Sequence, residues 1–260
     1  MTLVNMESFI EDIARQAGEA IMPFFRTGLA VSDKASHAVF DPVTEADRAG
    51  EAIIRNRIKQ TFPGHGILGE EFGTEHGDAE FVWVIDPIDG TRAFICGIPL
   101  WSTLVGLVRN GQPVLGVMNQ PFTGELFLGT GGAAHLKLRG TSRTLTTRRC
   151  ARLEDAYLAT TSPLLFDDAR KPRFDALAGR VKLSRYGTDS YAYCMLAAGL
   201  IDLVVEAGLQ PYDIVALIPI IEGAGGVVTA WDGSPARHGG AIVAAGDPEL
   251  HRQALDILNG

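Results

Sequence analysis

Apolar residues near the start of the chain recur at helical spacing, and they predict a first amphipathic helix. Its apolar positions are Phe9, Ile10, Ile13, Ala17, Ile21, Phe24 and Phe25. Thr44 and Asp47 resemble a capping box, in which two side chains satisfy backbone N–H groups at a helix start. They predict a second helix, whose inner face carries Ile53, Ile54 and Ile58.

The pattern then changes to short apolar runs that are typical of strands. The predicted strands of this half are 81–85, 101–108, 113–118, 125–128 and 134–138. The first is an uninterrupted apolar run, so we expect it to be buried. Asn110-Gly111, between the second and the third, is a strong signal for a β-hairpin.

Strands and helices alternate in the second half of the chain. The predicted strands are 157–161, 181–183, 201–205, 227–229 and 241–244, and the predicted helices are 167–178, 189–198, 213–224 and 248–258. The mixture indicates an α+β protein of layered sheets and helices, not a simple parallel Rossmann unit. The basic, Thr-rich stretch 139–152 looks like a connection, so we expect an N-terminal region of residues 1–145 and a C-terminal region of residues 146–260.

Composition narrows the function classes. The chain has 260 residues, of which 46% are apolar and 21% charged, as is ordinary for a globular protein with a substantial core. Its net charge of −8 argues against general binding to nucleic acids or membrane surfaces. Cys96, Cys150 and Cys194 give no disulfide framework or zinc spacing, and neither a signal peptide nor a long apolar span is readable. We therefore expect a cytoplasmic protein.

Two carboxylates stand three residues apart directly after the first predicted strand, in Asp86-Pro87-Ile88-Asp89-Gly90-Thr91. The Asp-Pro and Asp-Gly pairs predict a tight turn at the carboxyl end of that strand. Carboxylates suit Mg²⁺, and the N–H groups of Gly90 and Thr91 are expected to begin a helix and face an anion. A cation beside an anion suggests phosphate-ester chemistry, although the same residue types also form plain surface turns.

Four more acidic residues lie near predicted turns or element ends. They are Asp47 in the second helix, Glu70 and Glu71 after the loop 63–69, and Asp213 at a helix start. Each also fits a structural role. Asp47 could be a cap, Glu70 and Glu71 could be solvated charges, and Asp213 could favour a helix dipole.

In order and spacing, these motifs resemble the inositol monophosphatase family of Mg²⁺-dependent, lithium-sensitive phosphatases. The resemblance runs through the segments 41–47, 69–71, 83–91 and 212–226. Four motifs in the same order are much more specific than any one of them. The resemblance implies the layered α/β/α/β/α sandwich of the inositol monophosphatase and fructose-1,6-bisphosphatase type.

The resemblance also implies a site for two or three Mg²⁺ ions. Glu70, Asp86 and the main-chain carbonyl of Ile88 would hold one ion. Asp86, Asp89 and Asp213 would hold a second, so that Asp86 bridges the two, and a weaker third would depend on Glu70 and water. The N-terminal region would thus carry most of the ligands, and the C-terminal region would carry Asp213.

For the catalytic step, the resemblance implies Asp47, Thr91 and Glu70. Thr91 and Asp47 would orient and deprotonate the attacking water, and Glu70 is counted as catalytic besides its role as a metal ligand. The N–H groups of Gly90 and Thr91 would hold phosphate oxygens. These roles agree with phosphoryl transfer to water, which needs positioning and charge neutralisation more than a covalent intermediate.

Within the family, the segments 92–101, 187–193 and 202–213 are similar to the histidinol-phosphate phosphatase branch. Cys96 and Thr188 depart from the residues expected in that branch. The similarity implies hydrolysis of L-histidinol phosphate to L-histidinol and phosphate, which is a step of histidine biosynthesis.

Histidinol phosphate carries a cationic amine beside its phosphate ester, and two acidic residues are candidates to bind it. Glu206 and Asp189 could pair with the amine through charge-assisted hydrogen bonds. Asp189 could equally cap the helix that begins at Ser190. The other substrate contacts expected from the resemblance are Asp89, Arg92 and Asp213.

Two alternatives remain open from the sequence. The first is an inositol-1-phosphate or broad sugar-phosphate phosphatase on the same scaffold. The second is a non-catalytic regulator that binds metal or phosphate, which the presence of Glu70, Asp86, Asp89 and Asp213 disfavours. For either enzyme the partner is a small phosphate ester, and the family resemblance implies a homodimer.

Overall fold

The structure, a computed structural model, describes residues 3–28, 32–33 and 42–260. Asp41, the first residue of the predicted motif 41–47, lies outside the described residues. The helices are α1 Leu3–Ile21, α2 Glu45–Thr61, α3 Thr91–Ile95, α4 Lys171–Ala178, α5 Asp189–Ala197, α6 Pro211–Ile214, α7 Leu217–Gly223 and α8 Pro248–Asn259.

The strands fall into one pair and two sheets. They are β1 Ser32–Asp33, β2 Pro42–Val43, β3 Gly66–Gly69, β4 Gly73–Glu75, β5 Phe81–Asp89, β6 Ser102–Arg109, β7 Gln112–Gln120, β8 Glu125–Gly129, β9 Ala134–Leu138, β10 Thr141–Thr144, β11 Tyr157–Thr160, β12 Leu183–Tyr186, β13 Leu203–Leu209, β14 Val227–Ala230 and β15 Gly240–Ala245. Within the described residues, β1 and β2 pair only with each other.

The larger sheet has eight strands in the order β10-β9-β8-β7-β6-β5-β3-β4. Its neighbours are antiparallel except for β3 and β5, which are parallel. Asn110 and Gly111 join β6 to β7 with φ angles of 49° and 76°, which confirms the predicted hairpin. Arg139 and Gly140 adopt the same left-handed conformation between β9 and β10.

The smaller sheet has five strands in the order β12-β11-β13-β15-β14. β12, β11 and β13 are parallel, whereas β15 is antiparallel to both of its neighbours. The parallel arrangement arises because α4 and α5 lie between successive strands along the chain, as crossover connections require.

Sheets and helices alternate in five layers. α1 and α2 pack on the outer face of the larger sheet, and α5, α6 and α7 lie between the two sheets. α4 and α8 cover the outer face of the smaller sheet. Separate buried apolar clusters fill these interfaces. The layering confirms the predicted α/β/α/β/α sandwich.

Glycines in the larger sheet let the middle helices touch its backbone. A side chain at Gly116 in β7 would overlap the carbonyl oxygen of Ala216. A side chain at Gly129 in β8 would overlap the backbone of Ile220 in α7. This close approach sets the height of α7 above the sheet, and α6, which carries Asp213, directly precedes α7 along the chain.

Several predicted boundaries in the first half are wrong or incomplete. α1 ends at Ile21 and continues as a 3₁₀ turn, Met22–Phe24, because Pro23 interrupts the hydrogen-bond ladder. The stretch 139–152 is more than a connection, since it contains the edge strand β10. β3 and β4 were not predicted, because glycine residues occupy both ends of the short β3 segment.

The second half keeps the predicted order of elements with shifted ends. The predicted helix 213–224 is two helices, because Pro219 cannot donate the hydrogen bond that would join them. The predicted strand 181–183 lies instead at Leu183–Tyr186. The division into an N-terminal and a C-terminal region stays a prediction.

Within the described residues, none of the helices has the length and apolar character that a membrane span requires.

Replacing Gly116 by alanine should destabilise the protein. The new methyl group has no space against Ala216, so the layers must move apart, at a cost of about 1–3 kcal/mol in the free energy of unfolding. Urea unfolding measures this value. Gly132→Ala is the control, since no heavy atom lies within 4 Å of the added carbon. Equal stabilities of the two variants would contradict the proposed close contact.

Candidate active site

A β-bulge places two carboxylates on the same side of β5. Asp86 pairs with Leu104 of β6 and Asp89 with Ser102, so β5 has one residue more than its partner between these pairs. In a regular strand, residues three apart point to opposite faces, and the extra residue corrects this. The predicted tight turn after residue 85 is therefore wrong: the strand continues to Asp89, and the chain turns at Gly90, where φ is 80°.

Asp213 joins this pair from the layer of helices between the sheets. Its carboxylate accepts a hydrogen bond of 2.7 Å from the Gln210 N–H, which closes a capping box at the start of α6. One carboxylate oxygen from each of Asp86, Asp89 and Asp213 lies within 4.8 Å of the others. The structure thus brings together the three residues predicted to share one metal ion.

The three carboxylates repel one another. Burial raises the pKa of Asp86 well above its usual range, and the charges of Glu70, Asp89 and Asp213 add to the increase. Burial likewise raises the pKa of Asp89 to about 6 and that of Asp213 well above normal. A divalent cation among these oxygens would remove the repulsion, and a set of hard oxygen donors is the kind that Mg²⁺ prefers. The residues present therefore fit a metal ion.

Glu70 lies next to this cluster because the segment after β3 is tied down. Its N–H donates to the Ile85 carbonyl of β5 at 3.2 Å. The buried carboxylate of Glu51, in α2, accepts hydrogen bonds from the N–H groups of Glu71 at 2.7 Å and Phe72 at 3.2 Å. Arg55 pairs with Glu51 at 2.6 Å. The sequence analysis did not identify this support, because Glu51 and Arg55 carry no motif beyond standing four residues apart in α2.

The helix that the sequence predicted to begin at Gly90 and Thr91 is present, while phosphate binding by these residues stays a prediction. Gly90 is the N-cap of α3, and Thr91 is its first residue. The Thr91 hydroxyl donates to the Ile88 carbonyl at 2.9 Å, the same carbonyl that the resemblance assigns to a metal. Asp47 is buried, and one of its oxygens accepts from the Thr44 N–H at 2.8 Å and hydroxyl at 2.6 Å. The predicted capping box is therefore confirmed.

A cavity of about 450 Å³ opens over the acidic cluster. Ten of the predicted site residues line it, and they are Glu70, Asp86, Ile88, Asp89, Gly90, Thr91, Arg92, Asp189, Glu206 and Asp213. Asp47 is the one predicted residue that lies outside this lining, so its proposed action on water stays a prediction. Thr161, Ser190 and Tyr193 also line the cavity and were not predicted.

Asp189 does not cap α5, although a helix cap was the alternative role that the sequence allowed for it. α5 begins at Asp189 itself, whose φ of 44° lies in the left-handed region. The Ser190 N–H is bound instead by the Asp89 carboxylate at 2.8 Å. Burial and the Asp89 charge raise the pKa of Asp189 to about 7, while Arg92 acts in the opposite direction. The Asp189 carboxyl therefore faces the cavity beside the acidic cluster.

Glu206 is more deeply enclosed than its predicted role suggested. It is 2% exposed, and one of its oxygens accepts from both the N–H of Thr161 at 2.6 Å and its hydroxyl at 2.9 Å. The other accepts from the Thr160 hydroxyl at 3.2 Å. Burial raises the pKa of Glu206 to about 8 despite these bonds. Glu206 still lines the cavity, so it is within reach of a bound molecule.

Comparison with known proteins agrees with this geometry. The model of the inositol monophosphatase family matches residues 3–259. Bifunctional phosphatase IMPL2 of Arabidopsis thaliana is 42% identical over 95% of this chain and 72% of its own length. A histidinol-phosphatase of Mycobacterium tuberculosis is 35% identical over 84% of this chain and 85% of its own length. The structure of an inositol monophosphatase from Zymomonas mobilis matches with a TM-score of 0.89 and 40% identity over 100% of both chains.

The layered fold and the acidic cavity thus define a phosphatase, a phosphoric monoester hydrolase. The chain belongs to the inositol monophosphatase family. The family is Mg²⁺-dependent in general, and the three clustered aspartates of this chain could hold a metal.

Removal of one charge from the acidic cluster should stabilise the metal-free protein and weaken its binding of Mg²⁺. Asp86→Asn should raise the melting temperature of the metal-free protein, because an ionised Asp86 is repelled by its neighbours. The same variant should lose most of the stabilisation that Mg²⁺ gives the wild type. Thermal unfolding with and without Mg²⁺ measures both effects.

Asp168→Asn, on the exposed surface, is the control and should change neither value. A full Mg²⁺ response in Asp86→Asn would contradict the metal site.

Glu51→Gln should weaken Mg²⁺ binding without touching a metal ligand. Each carboxylate oxygen of Glu51 accepts one backbone hydrogen bond, whereas the amide of glutamine has only one accepting oxygen. The segment that carries Glu70 therefore loses one of its two supporting hydrogen bonds. We expect affinity to fall about tenfold, as is typical for residues that orient a ligand. Titration calorimetry measures it. Glu75→Gln is the control, because Glu75 is the second carboxylate paired with Arg55 and its side chain is 39% exposed. This variant should bind Mg²⁺ with nearly the affinity of the wild type. Equal Mg²⁺ affinities of the two variants would refute the proposal that Glu51 positions the segment of Glu70.

Proposed function

We propose that the protein is a Mg²⁺-dependent phosphomonoesterase that hydrolyses L-histidinol phosphate to L-histidinol and phosphate. One observation carries this proposal. The same cavity holds an acidic cluster that fits metal ions and, beside it, two further acidic residues, Asp189 and Glu206, that fit a cationic amine. A substrate with a phosphate ester next to an amine complements both.

The proposed mechanism divides the work among residues of this chain. Asp86, Asp89 and Asp213, with Glu70 beside them, would hold two or three ions. A bound Mg²⁺ would supply charge neutralisation at the phosphate and a water of lowered pKa. Thr91 would orient the attacking water.

The other groups act on either side of that water. Asp47 would act with Thr91 as the base that takes the proton of the attacking water. The N–H groups of Gly90 and Thr91 would bind phosphate oxygens at the start of α3. As the oxygen of the water bonds to phosphorus, the ester P–O bond would break, and the alcohol oxygen, which takes a proton from solvent water, would leave toward Asp189 and Glu206 in the same cavity.

Some relatives support histidinol phosphate as the substrate, whereas others are named for inositol phosphate. The Mycobacterium tuberculosis relative is named a histidinol-phosphatase, whereas the Zymomonas mobilis structure is named an inositol monophosphatase. The charge of the cavity favours the first substrate, since inositol 1-phosphate offers no cation to Asp189 or Glu206. The alternative is an inositol-1-phosphate or broad sugar-phosphate phosphatase, and a non-catalytic regulator would not need a complete acidic cluster. The homodimer and the cytoplasmic location stay predictions.

Steady-state kinetics at saturating Mg²⁺ test the substrate. We expect a higher kcat/KM for histidinol phosphate than for inositol 1-phosphate. A preference for inositol 1-phosphate would refute the substrate proposal and leave the phosphatase assignment in place.

Glu206→Gln should lower kcat/KM for histidinol phosphate about ten- to a hundredfold, because a charge-assisted hydrogen bond is worth about 1.5–3 kcal/mol. Hydrolysis of a phosphate ester without an amine should change much less. Glu154→Gln, an exposed carboxylate, is the control. Equal losses on both esters would mean that Glu206 supports the cavity in general and does not read the amine.

A further inference from the structure

One residue that lines the active-site cavity carries a buried polar atom without a hydrogen-bond partner. Four buried side-chain atoms lack one among the described residues, and they belong to Arg57, Trp101, Thr188 and Tyr193. Of these four residues, only Tyr193 lines the cavity over the acidic cluster. A buried hydroxyl without a partner is uncommon and costs free energy, so it calls for a physical explanation.

The same helix shows how a structural tyrosine is satisfied. Tyr191 lies two residues earlier in α5, and its hydroxyl donates to the Glu125 carboxylate at 2.8 Å. Tyr193 packs its ring into the core between the two sheets and is 2% exposed. Its ring is therefore a core group, but its hydroxyl has no role in the core.

The Tyr193 hydroxyl is influenced by acidic residues that line the same cavity. Glu206 is the charge that acts on it most strongly, followed by Asp89 and Asp213 of the acidic cluster. Burial and these charges raise the pKa of Tyr193 well above its usual range, so the group stays protonated and able to donate. The hydroxyl therefore interacts electrostatically both with Glu206 and with the acidic cluster.

We propose that the Tyr193 hydroxyl is a specificity-determining group that hydrogen-bonds the alcohol moiety of the substrate, not its phosphate. The contact requires a phosphate ester whose alcohol carries a polar nitrogen or oxygen. A phenol can donate to such an atom and can also accept from it. This inference rests on the proposed phosphomonoesterase activity and adds a residue that reads the leaving group.

The position of α5 explains why this contact would be well aligned. The first turn of the helix is bound to the acidic cluster through the Ser190 N–H and the Asp89 carboxylate, and Ser190 and Ser102 share a hydrogen bond of 2.9 Å. Tyr193 follows Ser190 by one helical turn, so it lies on the same side of α5. α5 therefore links the acidic cluster to the proposed leaving-group contact.

Tyr193→Phe tests the proposal, because it removes only the unpartnered oxygen. For histidinol phosphate we expect kcat/KM to fall about tenfold, mainly through a higher KM, as a lost ground-state contact predicts. For phenyl phosphate, whose alcohol moiety has no further polar group, we expect a change of less than about twofold. The melting temperature should stay equal to that of the wild type or rise, since no internal hydrogen bond is lost.

Tyr191→Phe is the matched control in the same helix. It should lower the melting temperature, because the Glu125 carboxylate loses a donor, and it should leave kcat/KM of both esters near wild type. Unchanged kinetics of Tyr193→Phe on histidinol phosphate would overturn the proposal. Equal losses on both esters, or a loss of stability like that of Tyr191→Phe, would also overturn it.

The Tyr193 contact can be tested even if histidinol phosphate is not the substrate. If the wild type prefers inositol 1-phosphate, the same comparison is made with that ester, whose alcohol is also polar. Binding of histidinol, which has no phosphate, gives a readout that is independent of turnover. Calorimetry should then show about tenfold weaker binding to Tyr193→Phe than to the wild type, and equal affinities would count against the contact.

Discussion

Mutual repulsion among the buried carboxylates of Asp86, Asp89 and Asp213 is the interaction on which the rest of the structure depends. Two of them come from a bulged strand of the larger sheet, and the third comes from a short helix in the layer between the sheets. Closing the layers therefore brings like charges together in a region of low polarity, which opposes folding. Apolar packing and the glycine contacts of β7 and β8 hold the layers in place despite this repulsion. Because this repulsion destabilises the metal-free protein, a cation bound among the three carboxylates would stabilise the fold.

Much of this arrangement could be predicted from the sequence, because it depends on local motifs. The capping box of Thr44 and Asp47, the Asn110-Gly111 hairpin and the helix after Gly90 follow from residue types at fixed spacing. The bulge could not be predicted, because it depends on how β5 pairs with β6 far along the chain. For the same reason Glu51 went unnoticed, since its partners are backbone groups about twenty residues away.

The substrate end of the cavity shows the limits of charge complementarity as a guide. From sequence, Glu206 and Asp189 are both candidates to bind an amine, although Asp189 could equally cap a helix. In the structure Glu206 is enclosed by hydroxyl and N–H donors, whereas Asp189 occupies a strained left-handed position beside Arg92. Tyr193, which was not predicted as a site residue, lines the same cavity and carries a buried hydroxyl without a partner. Recognition of the leaving group is thus a property of the packed middle layer.

The most direct test of the account is the position of a bound divalent cation. Anomalous X-ray scattering from crystals that contain Mn²⁺, which shares the preference of Mg²⁺ for oxygen ligands, locates the ion independently of activity. The account predicts an anomalous peak among the carboxylates of Asp86, Asp89 and Asp213, and its loss in crystals of Asp86→Asn. A wild-type protein that binds Mn²⁺ elsewhere, with no peak among these three side chains, would contradict it.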